Sequence, residues 1–136
     1  MKLLMLHVGE FWYKTYSKTL ENVDTRQKEE KINEGIVVFI HVEKEDEERG
    51  NKLRGKVIDN IRWLLKKTNT NTVVLHSFAH LSKSKSSPEF AQKLIESLKN
   101  SLEVRQIITH VTPYGYFLEF KLHVLGESLA KVFKSF

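Results

Sequence analysis

The sequence predicts an α/β domain in which a mixed β-sheet is packed with helices, and three observations carry that reading. First, "IVVFIHV" (Ile36 to Val42) and "NTVVLHSF" (Asn71 to Phe78) are continuous, β-branched runs of strand length. Runs of that kind belong to strands buried on both faces. Second, the chain between them repeats Leu53, Val57, Ile61 and Leu64 at helical spacing, with Trp63 and Leu65 alongside, so an amphipathic helix over Asn51 to Lys67 joins the two strands. Third, "YFLEFKLHV" alternates across two faces through Tyr116, Leu118 and Phe120, the pattern of a half-buried strand.

The remaining elements follow in chain order. "KLLMLHV" (Lys2 to Val8) is a compact apolar run and reads as a first strand, since it is short for a signal peptide and no small-residue cleavage site follows. The polar stretch "KTYSKTLENVDTRQKEEKINEG" shows little periodicity and reads as a long loop with at most one helical turn. "EKEDEERG" reads as a solvated loop or first helical turn. In "SSPE" a serine cap precedes proline at the first helical position and an acid in the first turn, opening a helix from Pro88 to Ser101 with Phe90, Leu94 and Leu98 on one face. "EVRQIITHV" follows as a strand and "TPYG" as a turn. "GESLAKVFKSF" closes the chain as a short helix with Leu129, Val132 and Phe133 inward. Helices linking consecutive strands imply helices packed on the sheet.

At 136 residues, 40% hydrophobic and 29% charged, the chain suits one domain, residues 1–136, and neither disorder nor a membrane class. No cysteine is present, which excludes disulfides, thiolate zinc sites and cysteine nucleophiles together. A cytoplasmic address is the expectation. The net charge of +5 and pI near 9.4 permit an anionic partner such as RNA, although a lysine-rich surface also serves solubility.

Residues able to carry chemistry are few. Of six histidines, His7, His41, His76, His110 and His123 fall near strand ends. His76 and His80 could meet over a metal if the strand bends, but no HExxH helix or carboxylate at ligand spacing accompanies them, and no metal is expected. Phosphate-cradling GxxxxGKS or GxGxxG loops and a GxSxG nucleophile elbow are absent. Two stretches remain, "SFAHLS" at the end of a buried strand and "TPYGYFLEF" at a corner.

Taken jointly, "LLMLHVGEFWY", "VVFIHVEKED", "FAHLS" and "TPYGYFLEFK" resemble, in order and spacing, the N-terminal editing domain of archaeal threonyl-tRNA synthetases, over almost the whole chain. The resemblance implies a D-aminoacyl-tRNA deacylase-like fold, a homodimer, and hydrolysis of serine mistakenly attached to threonine tRNA, with the tRNA 3′ end carrying L-serine as partner and no cofactor. The need for such an activity is physical. A site that admits threonine excludes the smaller serine weakly, since a missing methyl is worth about 1–3 kcal/mol.

The same resemblance places His80 on the family's pocket histidine, within Phe78, Ala79, His80, Leu81 and Ser82. Val42, Glu43 and Lys44 match its "VEK", near the terminal adenosine, and Pro113, Tyr114, Gly115, Tyr116, Phe120 and Lys121 match its proline-aromatic-glycine turn and the strand after it. The implied assignment is His80 as a positioning residue in catalysis, with Val42, Glu43, Lys44, Ala79, Pro113, Tyr114, Gly115, Tyr116 and Phe117 binding substrate. His7 stands where the family's first strand has its histidine, and His76 reads as a structural neighbour within its strand. The Ser82 to Ser87 loop reads as mobile, with Lys83 and Lys85 available to tRNA phosphates. Phe117 and Leu118 replace an aromatic residue and a pocket lysine of the family, Lys131 stands where it has a glutamate, and Glu127 and Ser128 replace a His-Pro pair. The resemblance further implies that backbone groups and the tRNA's own 2′-OH do most of the catalysis. Two rival readings accompany it: a catalytically degenerate tRNA-binding or dimerisation appendage, and a D-aminoacyl-tRNA deacylase. The resemblance implies either the N-terminal part of a longer synthetase or a free-standing editing component.

Overall fold

The computed structural model describes residues 1–136. Seven strands form one mixed sheet: β1 (Lys2–Lys18), β2 (Glu29–Ile32), β3 (Gly35–His41), β4 (Thr72–Ser77), β5 (Ile108–Val111), β6 (Tyr116–Val124) and β7 (Lys131–Ser135). Two helices, α1 (Gly50–Thr68) and α2 (Pro88–Val104), connect β3 to β4 and β4 to β5. Both pairs are parallel, a pairing that needs a long crossover and so accounts for a helix at each link. The hydrogen-bonded order is β2-β1-β3-β4-β5, with β6 and β7 also on β1.

β1 organises the sheet. Its first half lies antiparallel between β3 and β7, and its second half between β2 and β6. Register shifts at Gly9 and Tyr16 interrupt the pairing with β6, and such bulges bend a strand and sharpen its twist. At Gly9 an added Cβ would lie 2.9 Å from His123 Nδ1, so the exposed His123 ring packs over the glycine and would have to turn aside for any larger residue.

The sheet is covered on both faces. Towards the helices, Leu3, Met5, Ile36, Val38, Ile40, Val73 and Leu75 pack with Leu53, Val57, Ile61, Leu64, Ile95 and Leu98. The intervening positions, Val37, Phe39 and Val74, point the other way, onto Val8, Phe11, Tyr13 and Ile32 under the curve of β1 and β6. Period-two alternation thus makes a continuous apolar run serve two cores at once.

Four sequence expectations are corrected. β1 runs to Lys18, ten residues beyond Val8, because partners 15 to more than 100 residues away supply its ladder. The polar stretch taken as a loop, residues 14–35, contains the last five residues of β1 and all of β2. α2 continues to Val104, so the strand after it is Ile108–Val111 only. The closing segment is a 3-10 turn at Ser128–Ala130 followed by β7, not a helix. In β7, Val132 packs on the helix-side core while Phe133, expected inward, is 53% exposed. Pairing with Leu4 imposes strand parity there and sends neighbouring side chains to opposite faces.

Of the two readings of the acidic run, solvated loop or first helical turn, the structure has the turn, and it is not wholly solvated. Lys44–Glu48 forms a 3-10 turn in which Asp46 is fully buried. Asp46 and Glu43 accept the Met1 ammonium at 3.1 and 2.6 Å.

Helix ends follow their signals. Ser87 accepts the Phe90 N–H at 3.2 Å ahead of Pro88, and Asn69 ends α1 in the left-handed region at φ 53°. Gly55 lies exposed inside α1, and a Cβ there meets nothing within 4 Å. Gly55→Ala is therefore expected to stabilise the fold by about 0.5–1 kcal/mol, read from the urea midpoint.

Candidate functional site

Where β4 and β6 converge, the chain forms a half-open cavity of about 360 Å³. Its floor and walls include His76, Phe78, Thr112, Leu118 and Phe120, and its rim includes Ala79, His80, Gly115, Tyr116 and Phe117. Strand parity builds it. In β4 the positions facing away from the helices lead from Val74 to His76, and in β6 Tyr116, Leu118 and Phe120 share one side. The rings of Phe39 and Phe120 lie 5.1 and 5.9 Å from that of His76.

Of the ten residues assigned from the sequence, Ala79, His80, Pro113, Tyr114, Gly115, Tyr116 and Phe117 line this cavity. Val42, Glu43 and Lys44 do not. The Val42 carbonyl accepts the Ser86 N–H at 3.1 Å, and the Lys44 N–H donates to Ser84 Oγ at 3.1 Å. Glu43 accepts Met1, Lys2 Nζ at 3.2 Å and the Ser82 hydroxyl at 2.7 Å. Burial acts to raise its pKa, but these hydrogen bonds prevail and hold it near 2. These three residues thus tie the acidic turn to the Ser82–Ser87 loop. Ser84 reaches Glu45 at 3.0 Å and the Ser87 N–H reaches Glu47 at 3.2 Å.

His80 stands exposed at the mouth, its ring 5.0 Å from that of Phe78. The backbone N–H groups of Ala79 and His80 donate to no acceptor in the chain. Beneath them His41, fully buried, accepts the Leu81 N–H at Nδ1 (2.9 Å) and donates Nε2–H to the Ser84 carbonyl (2.7 Å). It braces the turn, a role its place in a hydrophobic run gave no sign of. His7 is buried away from the cavity, bonded to Glu127 and, at 2.9 Å, to Glu34. Lys131 likewise lies outside the lining, donating to the Leu125 carbonyl at 3.0 Å.

His76, read from sequence as a strand neighbour, is part of the cavity wall, and Thr112 with it. The signal that could have found them is parity, because the face holding Val74 also holds His76. Burial alone pushes the His76 pKa down to about 4. The unfolded chain then takes up a proton that the folded chain refuses, so stability falls as pH drops from about 6.5 to 4, by about 2–3 kcal/mol. Urea unfolding at stepped pH measures this, and the slope should flatten in His76→Phe.

A larger groove of about 580 Å³ adjoins the cavity between α2 and residues 20–26. Asp24, Glu89 and Glu96 line it together with Arg26 and Lys99, so its charges nearly balance. Tyr116 separates the two spaces, its hydroxyl accepting the Arg26 N–H at 2.9 Å and donating to the Asp24 carbonyl. No three His, Asp or Glu side chains converge anywhere in the chain to hold a metal.

The model of the archaea-specific editing domain of threonyl-tRNA synthetase matches residues 1–136. The chain belongs to this family. Threonine–tRNA ligases of Methanosphaera stadtmanae and Thermococcus sibiricus are 34% and 30% identical to it, over 97% of the chain in both cases. The editing domain described here spans 22% of the length of each. A solved structure, the c-Myc DNA unwinding element binding protein, is 13% identical and aligns with a TM-score of 0.68 over 99% of this chain and 98% of its own. At that identity the likeness establishes the fold, a half-barrel mixed sheet with two helices, D-aminoacyl-tRNA deacylase-like as expected. No helix of the editing domain is long and apolar enough to cross a membrane.

Proposed function

We propose that this editing domain hydrolyses the ester of serine mistakenly joined to threonine tRNA, with no metal or other cofactor. One observation carries the reading: within a family of editing domains, a small and partly apolar cavity opens at His80 and at two unpaired backbone N–H groups. Such donors suit the oxygen that becomes negative when water adds to an ester carbonyl. The α-ammonium of an aminoacyl ester already activates that carbonyl, so an oriented water suffices as nucleophile, and the ribose oxygen leaves with a proton. His80 positions the ester at the mouth. Lys83 and Lys85, both exposed in the loop that follows it, and the net charge of +5 favour the phosphates of the tRNA 3′ end. A second copy of the chain completes the assembled form, which sedimentation equilibrium checks, and a cytoplasmic address goes with the partner.

The test is deacylation of threonine tRNA charged separately with serine and with threonine, at fixed salt, with and without chelator. Selective, chelator-resistant loss of serine is expected. Leu118 in the cavity wall and Lys131 outside the lining favour a second reading, a tRNA-binding appendage. Salt-dependent tRNA binding without hydrolysis of either ester would establish that reading instead.

A further inference from the structure

His76 lies in the most buried part of the cavity wall, only 7% exposed. The rings of Phe39, Phe78 and Phe120 surround it at 5.1, 6.0 and 5.9 Å. Nδ1 lies 2.9 Å from Thr112 Oγ1. Nε2 has no partner in the chain, yet no buried side-chain nitrogen or oxygen is left unsatisfied. Nε2 therefore reaches open space, and the space on that side is the cavity His76 lines.

Its burial keeps the ring neutral, so it carries one N–H. Were the proton on Nδ1, it would donate to Thr112 Oγ1, and the hydroxyl's own proton would face no acceptor, since Thr112 Oγ1 has no other partner. With the hydroxyl donating to Nδ1, the Thr112 proton is paired and the ring proton is on Nε2, where it faces the cavity and can be met by solvent or a ligand. The most buried part of an aromatic cavity wall thus presents a single fixed hydrogen-bond donor.

What meets that donor follows from the shape. A tRNA cannot enter, so its terminal ribose stays near the exposed Ala79 and His80, and the amino acid reaches inward. The α-ammonium only donates and cannot pair with Nε2–H. The ester carbonyl is placed beside the backbone donors at the rim. The remaining acceptor is an oxygen on the amino-acid side chain. We propose that His76 Nε2–H reads the side-chain hydroxyl of the esterified amino acid, so that the cavity selects a seryl over an alanyl ester. This deepens the deacylase reading and rests on it. An alanyl ester leaves the donor without an acceptor, and a buried polar group left unpaired lowers the rate by about 10- to 100-fold.

Three measurements decide it. The first compares kcat/KM for seryl and alanyl esters of threonine tRNA in the unaltered chain and in His76→Phe, which keeps a ring in place and removes the donor. The ratio should fall from at least tenfold to near one. The double variant His76→Phe/Thr112→Val, which leaves no orphaned hydroxyl, serves if the single one does not fold. The second is the ¹⁵N spectrum of the imidazole, which should show the proton on Nε2. The third is binding of seryl and alanyl 3′-amido-3′-deoxyadenosine, which cannot be hydrolysed.

If the unaltered chain hydrolyses neither ester, the deacylase reading fails and the binding pair alone judges His76. Tighter binding of the seryl compound, lost in His76→Phe, upholds the donor role. Equal binding, no binding of either, a proton on Nδ1, or an unchanged ratio in a folded variant overturns it.

Discussion

Asp46→Ala is expected to cost about 3–5 kcal/mol of folding stability, the penalty of breaking a buried ionic cluster by removing one member. Asp46 is fully buried and receives three donors: the Met1 ammonium at 3.1 Å, the Glu43 N–H at 2.7 Å and Arg49 Nη1 at 3.1 Å. Alanine leaves the buried ammonium with Glu43 and the Phe136 carbonyl and orphans the Glu43 N–H. The start of β1, the acidic turn and the Ser82 loop all meet at this cluster, so its loss loosens three segments together. Asp46→Asn restores an acceptor for Glu43 but no charge, and should fall between alanine and the native residue. Urea unfolding with an unchanged slope and a lowered midpoint reads out both variants. The cluster also sets an acid limit. The folded pKa of Glu43, near 2, lies below its ordinary value of 4.5. Its stabilisation is therefore complete above pH 4.5 and drains away as pH falls towards 2.

Gly115→Ala is expected to lower kcat/KM for the seryl ester by about 100-fold, the scale of a misplacement near 1 Å at a reacting centre. Gly115 has φ +83°, and a Cβ there would stand 2.7 Å from Val23 Cγ1 and 3.5 Å from Leu20 Cβ. A β-branched valine has little rotamer freedom to retreat. The left-handed conformation adds about 1–2 kcal/mol of strain for any residue with a Cβ. The Gly115 carbonyl also accepts the Thr19 N–H at 2.7 Å and the Leu20 N–H at 3.4 Å. Displacing it moves Thr19, Leu20 and Tyr116, all of which line the cavity. Gly126→Ala, where a Cβ meets nothing within 4 Å, is the control and should keep activity within about twofold, as expected of a surface change away from the site. Equal activity of the two variants would mean that the rim at Gly115 does not shape the site.

The parts of this fold that were legible in the chain are those whose signal is local. The apolar runs of β3 and β4, the helical spacing of α1 and the serine–proline cap of α2 lie within a dozen residues each, and they predicted a mixed sheet with helices on it. The "FAHLS" and "TPYGY" stretches pointed to one place, and His80, Gly115 and Tyr116 do share one cavity. The second half of β1 was not legible. Glu10, Lys14, Ser17 and Lys18 make it look like a loop, and only pairing with β2 and β6 holds it extended. β7 escaped for the same reason, because "ESLAKVFKS" satisfies a helical pattern as well as a strand and Leu4 and Met5 settle which.

By itself, then, the sequence determined the fold class, the two crossover helices, the absence of thiol chemistry and the turn residues that line the cavity. The tertiary structure alone decided that Val42, Glu43 and Lys44 brace a loop instead of lining the cavity, and that His76 faces into it. The reason is physical: helix spacing and capping are set by neighbours along the chain, whereas strand pairing and side-chain partners are set by residues brought together across it. Glu43 meets Met1 and Ser82, and His76 meets Thr112, only once β1, β3, β4 and β5 have taken their places in the sheet.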